Sequence, residues 1–382
     1  MWPTFLLRGP ARHHPDSYVD WRTFKGNGVN LGGWFAQEAF IDTTWWSQNC
    51  GDARDEWTCC ANLGAQCGPV HEKRWNTFFT KADIDKLASV GVNVLRIPTS
   101  YAAWVKVPGS SLYSGNQVSI FRKIASYAIT KHRMHIVLDI HSLPGGINGL
   151  DIGEAVGHYD WFNNQTNLDY SLKAIDAALK YIQNSGSPQS YTLSPINEPA
   201  DNRDFSVFGT PAALSDDGVA WVQKYIDAVI ARTKAVNPKI PVLFQGSFKG
   251  AAFWSPRFAA GTNIVMDVHK YFFAGYPTDS DNVTSYICSQ AQAIGSDKKF
   301  PIFVGEWAIQ TVANNKLANR AKNLNTGLYA FDKYTRGSSY WNGKFLGNNS
   351  VVGEGTQADY WNYSAFIDLG IVDRSQGQQY CT

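Results

Sequence analysis

Residues 192–199 read Thr-Leu-Ser-Pro-Ile-Asn-Glu-Pro. This short apolar run stops at Asn197 and Glu198, and the proline that follows them disfavours a helix at this point. Buried strands of parallel sheets have such apolar runs, so the stretch predicts a strand with two polar side chains at its end. Residues 300–307, Phe-Pro-Ile-Phe-Val-Gly-Glu-Trp, repeat the arrangement around Glu306. Together the stretches predict a pair of carboxylates, each presented by the end of a strand.

The composition indicates one large domain. The chain has 382 residues, 44% of them hydrophobic, and no Pro- or Ser-rich linker divides it. A net charge of only +2, with 17% charged residues, argues against binding to nucleic acid or to an anionic membrane. No apolar run approaches the roughly 18 residues that predict a membrane span. The 14 Trp, 18 Tyr and 21 Phe exceed what packing requires and suit a carbohydrate or a flat aromatic ligand.

The N-terminus and the cysteines bear on localisation. Residues 1–20 are predicted to be a tail, a leader remnant or an altered start, because their apolar patch lacks the basic segment of a signal peptide; residues 21–382 form the predicted domain. Six cysteines and four Asn-x-Ser/Thr sequons nevertheless predict an extracellular protein with disulfides, and the absence of a Cys-x-x-Cys pair argues against zinc. The cysteines, whose pairing stays open, are Cys50, Cys59, Cys60, Cys67, Cys288 and Cys381, and the sequons lie at Asn164, Asn282, Asn348 and Asn362.

Short apolar runs alternate with amphipathic segments along the chain, which predicts an α/β fold with a parallel sheet. In one amphipathic segment Leu168, Leu172 and Ile175 begin a helical face that continues to Ile182, and Thr80 begins a predicted capping box. Repeating strand–helix units in this length predict a (β/α)8 TIM barrel. The predicted strands are 28–31, 93–97, 135–140, 192–196, 241–245, 264–268, 301–305 and 338–341, and long loops follow the first, third, fourth and eighth.

Polar and aromatic side chains stand at the predicted C-terminal ends of six strands. In a barrel these ends meet at one mouth, where the long loops also lie, so the side chains are expected to form one site. Paired carboxylates on either side of a glycosidic bond catalyse most glycoside hydrolysis, which makes this reaction the leading hypothesis. No phosphate-binding loop, metal-spaced histidine cluster or Ser-His-Asp arrangement competes, so no metal and no cofactor are expected. The strand-end residues are Arg96, His141, Asn197, Glu198, His269, Tyr271, Glu306 and Trp341.

With these residues the sequence resembles glycoside hydrolase family 5 of clan A, from about Trp21 to near the C-terminus. The resemblance implies a retaining, double-displacement mechanism in which Glu198 is the general acid/base and Glu306 the nucleophile. Opposed environments must then keep Glu198 protonated and Glu306 ionised. The resemblance also implies that Asn197 holds the sugar 2-hydroxyl, that Arg96 and Tyr271 hydrogen-bond the nucleophile, that His141 and His269 line the sugar subsite, and that Trp341 forms its floor.

Within the family the chain is similar to the fungal exo-β-1,3-glucanase branch. Residues 28–34, Gly-Val-Asn-Leu-Gly-Gly-Trp, and residues 139–145, Asp-Ile-His-Ser-Leu-Pro-Gly, carry this similarity. It implies that Glu38 and Asp151 bind hydroxyls of the terminal glucose. Gly343 departs from the branch, whose members have a further tryptophan there. Residues 65–69, 186–191 and 355–362 look closer to the fungal rutinosidases, which cut the β-glucosyl bond of flavonoid rutinosides and release the intact disaccharide.

The favoured hypothesis is therefore a secreted, monomeric rutinosidase whose partner is a small glycoside. A β-1,3-glucanase or simple β-glucosidase is the alternative, and an inactive carbohydrate-binding barrel is a third hypothesis from a different class. Aromatic side chains near the mouth are expected to stack on a planar aglycone or on glucose rings. They are Trp45, Trp46, Phe253, Trp254, Phe272, Phe273 and Trp361.

Overall fold

A computed structural model describes residues 17–273 and 278–381. Eight parallel strands, β1 to β8 in chain order, form a closed barrel in which each strand pairs with the next and β8 pairs with β1. The predicted (β/α)8 barrel is thus confirmed. Of the predicted tail, residues 1–16 lie outside the described residues. The strands are Gly26–Asn30, Val94–Ser100, His135–Ser142, Tyr191–Ser194, Val242–Gln245, Ile264–Phe272, Ile302–Thr311 and Gly337–Tyr340.

The helices surround the barrel, and their apolar faces cover it. The face predicted from Leu168 to Ile182 is buried along its length. The predicted capping box at Thr80 is present, with the Thr80 N–H donating to Asp83 Oδ2 over 2.7 Å. No helix among the described residues has the length and apolarity that a membrane crossing requires. In chain order α1 to α12 are Thr43–Asn49, Glu56–Leu63, Cys67–Thr77, Lys81–Ser89, Gln117–His132, Gln165–Gln183, Asp216–Val236, Ala251–Trp254, Val283–Ile294, Arg320–Tyr334, Ala358–Trp361 and Tyr363–Asp368.

The barrel interior is layered because side chains two residues apart on a strand share a face. An apolar layer fills the N-terminal end, where Trp21 packs against Phe303 at a ring-centroid distance of 4.9 Å. Two residues farther along the same strands the interior becomes polar. The apolar layer contains Val94, Val137, Leu243, Val265 and Phe303, and the next residues on this face are Arg96, Asp139, Gln245, Asp267 and Gly305.

The observed strands differ from the predicted ones most at β6 and β7. Both were expected to stop near the polar residues at 269 and 306, but pairing continues to Phe272 and Thr311. A polar side chain does not end a strand when its backbone is still paired and its side chain faces an interior site. His269, Tyr271 and Glu306 therefore lie within strands, whereas Trp341 directly follows β8.

Candidate active site

The C-terminal mouth of the barrel contains a cavity of about 330 Å³. Its wall brings together residues from the strands and from the long loops, as expected from the sequence. Arg96 and Asn197, also predicted for the site, lie fully buried and contact residues of this wall. The predicted residues that line the cavity are Glu38, His141, Asp151, Glu198, His269, Tyr271, Glu306 and Trp341.

Glu306 has both carboxylate oxygens held. Arg96 Nη1 donates to Oε1 over 2.7 Å, and the Tyr271 hydroxyl donates to Oε2 over 2.8 Å. Burial raises the pKa of Glu306, but the charges of His269 and Arg96 outweigh it and hold the pKa below its ordinary value. Burial and the charge of Glu306 raise the pKa of Tyr271 well above its ordinary value, so its hydroxyl keeps the proton that it donates. Glu306 is therefore an ionised carboxylate in a buried position.

A β-bulge directs Glu306 into the barrel. Val304 pairs with Val268 and Glu306 pairs with His269, so Gly305 is an extra residue on β7. Its N–H donates to Asp267 Oδ1 over 2.8 Å. A Cβ atom at position 305 would lie 2.1 Å from the same oxygen, which explains why glycine is required. The extra residue interrupts the strand alternation that would otherwise direct Glu306 outward.

Glu198 follows β4 in a left-handed conformation with φ of +46°, which costs a non-glycine residue about 1–2 kcal/mol. Its N–H donates to Gln245 Oε1 over 3.0 Å, and its carbonyl accepts from Asn148 Nδ2 over 3.1 Å. Gln245 at the end of β5 and Asn148 in the loop after β3 thus fix the backbone on both sides of this residue. The carboxylate enters the cavity, where Glu198 Oε1 lies 2.6 Å from His269 Nδ1.

His269 lies between acidic side chains. Its Nδ1 is 3.5 Å from Glu306 Oε2, and its Nε2 is 3.5 Å from Asp267 Oδ2. Burial lowers the pKa of His269, but the charges of Glu306 and Asp267 outweigh it and raise the pKa to about 10. The ring is consequently an imidazolium at neutral pH and presents a proton to Glu198.

Arg96 links Glu306 to three other polar side chains. Its Nη2 donates to Asn197 Oδ1 over 2.8 Å and lies 3.3 Å from Asp139 Oδ2, while Nη1 also donates to Asn30 Oδ1 over 3.1 Å. Burial lowers the pKa of Arg96, but the charges of Asp139 and Glu306 raise it above its ordinary value overall. The guanidinium therefore stays charged and fixes Asn197 next to the cavity wall.

His141 is oriented from both sides. Its Nδ1 lies 2.7 Å from Asp139 Oδ2, its Nε2 lies 3.3 Å from Asn197 Nδ2, and its ring stacks on Trp341 with a centroid distance of 5.7 Å. Burial raises the pKa of Asp139, but the charge of Arg96 outweighs it and lowers the pKa overall. These contacts hold the stacked His141 and Trp341 rings in the cavity wall.

Four buried polar residues on the strands support the site and are absent from the predicted set. A signal for two of them exists in the sequence, because each acid precedes a site histidine by two residues and strand alternation places such pairs on one face. The other two have no comparable signal. They are Asp139 and Asp267, which precede His141 and His269, and Asn30 and Gln245.

Glu38 and Asp151 reach the cavity from loops rather than from strands. Burial and the charge of Asp151 raise the pKa of Glu38 well above its ordinary value. Burial also raises the pKa of Asp151 to about 6. A raised pKa keeps the proton on an acid to higher pH, and a protonated carboxyl group can donate as well as accept a hydrogen bond, which suits contact with sugar hydroxyls.

The aromatic rim differs from the prediction. Phe273 and Trp361 line the cavity as expected, and Trp361 stacks on Tyr271 with a centroid distance of 5.4 Å. The other predicted rings pack against the core or against the disulfide-rich loop instead. Absent from the cavity wall are Trp45, Trp46, Phe253, Trp254 and Phe272, and present without having been predicted are Phe40, Phe205, Phe208 and Phe248.

The cysteines form the disulfides Cys50–Cys59, Cys60–Cys67 and Cys288–Cys381. Among the described residues, two side-chain groups have the spacing of metal ligands. In the first, Cys60 and Cys67 are consumed by their disulfide and lack thiolates, which leaves His71 alone. The second contains His269, whose protonated ring has no free lone pair for a metal. Neither donor set suits a cation.

The second of these groups contains a pair of carboxylates that can act on a substrate. Oxygen atoms of Glu198 and Glu306 lie within 4.8 Å of each other, with His269 between them. One carboxylate is held ionised and faces a second that receives a hydrogen bond from a cation. A carboxylate pair at this separation can act on the two sides of a single bond.

Comparison with known proteins agrees with this geometry. The sequence profile "Cellulase (glycosyl hydrolase family 5)" matches residues 60–345. The crystal structure of rutinosidase from Aspergillus niger is 57% identical with a TM-score of 0.92, over 93% of this chain and 99% of that one. The structure of AoRut is 58% identical with a TM-score of 0.93, over 94% of this chain and 100% of that one.

A more distant relative has a different description. The probable glucan 1,3-beta-glucosidase A of Aspergillus niger is 30% identical over 303 residues, which cover 78% of this chain and 68% of that relative. The family profile, the barrel and the paired carboxylates agree with one another. The chain belongs to glycosyl hydrolase family 5 and is a glycoside hydrolase.

Proposed function

We propose that this protein is a secreted, retaining β-glycosidase that releases rutinose from flavonoid rutinosides. The observation that carries the retaining mechanism of this proposal is the placement of Glu198 and Glu306 oxygens within 4.8 Å of each other in the cavity. Carboxyl groups about 5–5.5 Å apart are typical of retaining enzymes, whereas inverting enzymes need about 6.5–9.5 Å to admit a water molecule. Three disulfides support secretion.

In the first step the Glu306 carboxylate attacks the anomeric carbon while Glu198 donates a proton to the glycosidic oxygen. The carbon–oxygen bond to the aglycone breaks, its electrons remain on that oxygen, and a covalent glycosyl ester of Glu306 forms. His269 donates to Glu198 Oε1, which leaves Oε2 as the oxygen that carries the transferred proton. Arg96 and Tyr271 hold both oxygens of Glu306 and keep it ionised for the attack.

In the second step the Glu198 carboxylate removes a proton from water, and the oxygen of that water attacks the anomeric carbon. The ester bond to Glu306 breaks and the free carboxylate returns. The two attacks reach the anomeric carbon from opposite faces, so the released sugar keeps the β configuration. The imidazolium of His269 stabilises the anionic form of Glu198 between the two steps.

The substrate assignment is supported by the degree of similarity. The chain is 57% identical to a rutinosidase and 30% identical to a probable glucan 1,3-beta-glucosidase. The cavity is rimmed by aromatic side chains that could stack on a flat aglycone, among them Phe205, Phe208 and Phe248. The glucanase relative keeps exo-β-1,3-glucan hydrolysis as the second candidate function.

Incubation with rutin, isoquercitrin and laminarin, followed by mass spectrometry of the released sugar, separates the two candidates. Intact disaccharide from rutin with laminarin untouched is the expected result. Glucose from laminarin alone would establish the glucanase instead. Binding of rutin without release of any sugar would identify an inactive carbohydrate-binding barrel.

The roles of the two carboxylates are tested with alanine variants. Glu198→Ala and Glu306→Ala should each lower kcat by at least about 1,000-fold, whereas Asp217→Ala, an exposed acid on α7, should leave it unchanged. Azide should rescue Glu198→Ala by attacking the glycosyl ester and giving the β-glycosyl azide. Wild-type rates in either variant, or a β-azide product from Glu306→Ala, would contradict the assignment.

A further inference from the structure

Glu38 and Asp151 line the cavity, but neither is fixed by the barrel itself. Glu38 lies in the loop after β1, and Asp151 lies in the loop after β3. Loops are less constrained than paired strands, so side chains that recognise a sugar from loops require separate support. The support is found outside the cavity, in the disulfide-rich helices α1 to α3. These helices, residues 43–77, are referred to below as the cystine cap.

The start of α2 reaches both loops through two neighbouring acids. Asp55 accepts the Val156 N–H at Oδ2 over 2.9 Å, in the same loop as Asp151. Glu56 accepts the Gln37 N–H at Oε2 over 2.8 Å, and Gln37 directly precedes Glu38. Each acid therefore binds the backbone of a loop that carries a cavity acid.

Both contacts are made in the protein interior. Asp55 is 1% exposed and Glu56 is 4% exposed. Burial of an acid has a free-energy cost unless its oxygens are hydrogen-bonded, and here backbone N–H groups from other segments supply the bonds. Breaking either contact would leave a buried amide or a buried carboxylate oxygen without a partner.

The cystine cap holds α2 in place for this role. Cys59 is joined to Cys50 after α1, and Cys60 is joined to Cys67 at the start of α3, each with a Cα–Cα distance of 4.9 Å. Two adjacent residues of α2 are thus tied to the helices before and after it. The Asp55 carboxylate also caps α2, since Oδ1 accepts the Thr58 N–H over 2.6 Å.

A third contact from the cap strengthens the hold on the β1 loop. Arg74 on α3 donates from Nε to Gln37 Oε1 over 2.9 Å and pairs through Nη1 with Asp42 over 3.0 Å. The side chain and the backbone of Gln37 are therefore bound by different helices of the cap. Because Glu38 is the next residue, these bonds also fix its position.

We propose that Asp55 and Glu56 are positioning residues through which the cystine cap holds Asp151 and Glu38 against the glucosyl unit of the substrate. This inference rests on the proposed function, because it takes the two cavity acids as sugar ligands. It assigns to the cystine cap a part in substrate affinity that a stabilising disulfide alone does not have. Neither positioning residue touches the reacting atoms, so their loss affects KM more than kcat.

Glu56→Ala and Glu56→Gln form the central comparison, with rutin as substrate. Glu56→Ala removes the acceptor for the Gln37 N–H and is expected to raise KM about five- to tenfold with kcat within about twofold. Burial raises the pKa of Glu56 to about 7, so a neutral amide resembles the native side chain and its oxygen can accept the same bond. Glu56→Gln should therefore restore KM. Asp52→Asn, an exposed acid of the same cap, is the control.

Hydrogen–deuterium exchange of wild type and variants gives a readout that does not depend on the substrate. Peptides containing Gln37 should exchange faster in Glu56→Ala, and peptides containing Val156 should do so in Asp55→Asn, which keeps only one acceptor oxygen for two N–H donors. If Glu56→Ala does not fold, Asp55→Asn takes its place in both measurements.

The outcomes separate this inference from the proposed function. An unchanged KM in Glu56→Ala, a loss confined to kcat, or a Glu56→Gln variant as impaired as alanine would overturn the positioning role. A wild-type enzyme that does not cleave rutin would refute the proposed function, and unchanged amide exchange in both variants would then overturn the positioning role as well. Faster exchange together with raised KM supports it.

Discussion

Replacing Tyr271 with phenylalanine removes one hydrogen bond to Glu306 and little else. The Tyr271 hydroxyl donates to Glu306 Oε2 over 2.8 Å, and its ring stacks on Trp361, a contact that phenylalanine keeps. A hydrogen bond to a charged group contributes about 1.5–3 kcal/mol. If that stabilisation is lost from the reacting carboxylate, kcat/KM should fall by about 10- to 150-fold.

The pH dependence gives the sharper test of the same variant. A hydroxyl that donates to the ionised form of Glu306 contributes to its lowered pKa, so removing the hydroxyl must raise that pKa. The acid limb of kcat/KM should therefore move to higher pH, and the loss of activity should be larger at pH 4.5 than at pH 7. Tyr127→Phe, which removes a surface hydroxyl bound to Asp85, is the matched control. An acid limb that stays in place or moves to lower pH would refute this reading of the Glu306 environment.

Three further predictions test the barrel, the bulge and the surface. Gly305→Ala should reduce kcat at least about 100-fold while the protein still folds. The new methyl group would lie 2.1 Å from Asp267 Oδ1, so it would displace the Asp267 carboxylate and misplace Glu306. A near-normal kcat would contradict the role given to the bulge. Phe303→Ala should destabilise the fold by about 3–5 kcal/mol in thermal or denaturant unfolding, and Phe205→Ala, at a side chain 67% exposed, by less than about 0.5 kcal/mol. After expression in a secreting host, peptide mass spectrometry should find no glycan at Asn362, whose amide already donates to a backbone carbonyl and accepts a backbone N–H, whereas exposed Asn348 should be occupied.

The barrel was predictable because its signals are local. The apolar face from Leu168 to Ile182 needs only helical periodicity, and the run at 301–305 needs only its continuous apolar character. Strand ends were less predictable at β6 and β7. There His269 and Glu306 are polar, but they lie inside the barrel on paired backbone rather than after it.

The residues of the site were predictable where they stand at or near predicted strand ends. They were less predictable where they are buried behind the cavity wall and support its residues. Asp139 and Asp267 lie inside apolar strands, and only their spacing to the following histidines distinguishes them from other buried residues. Gln245 supports the Glu198 backbone through the fold alone, since the two residues meet only when β4 and β5 become neighbours. Disulfide pairing depends on spatial proximity in the same way, and the sequence leaves it open.

The bulge at Gly305 makes the direction of Glu306 depend on how the backbone of β7 pairs with β6. A regular ladder over the same residues would place Gly305 opposite His269, and alternation would then turn Glu306 toward the surrounding helices and Trp307 toward the cavity. A large apolar ring would then occupy the place of an anion. The side chains alone therefore do not define this site, because the same residues in the same order would lose it if β6 and β7 paired without the bulge.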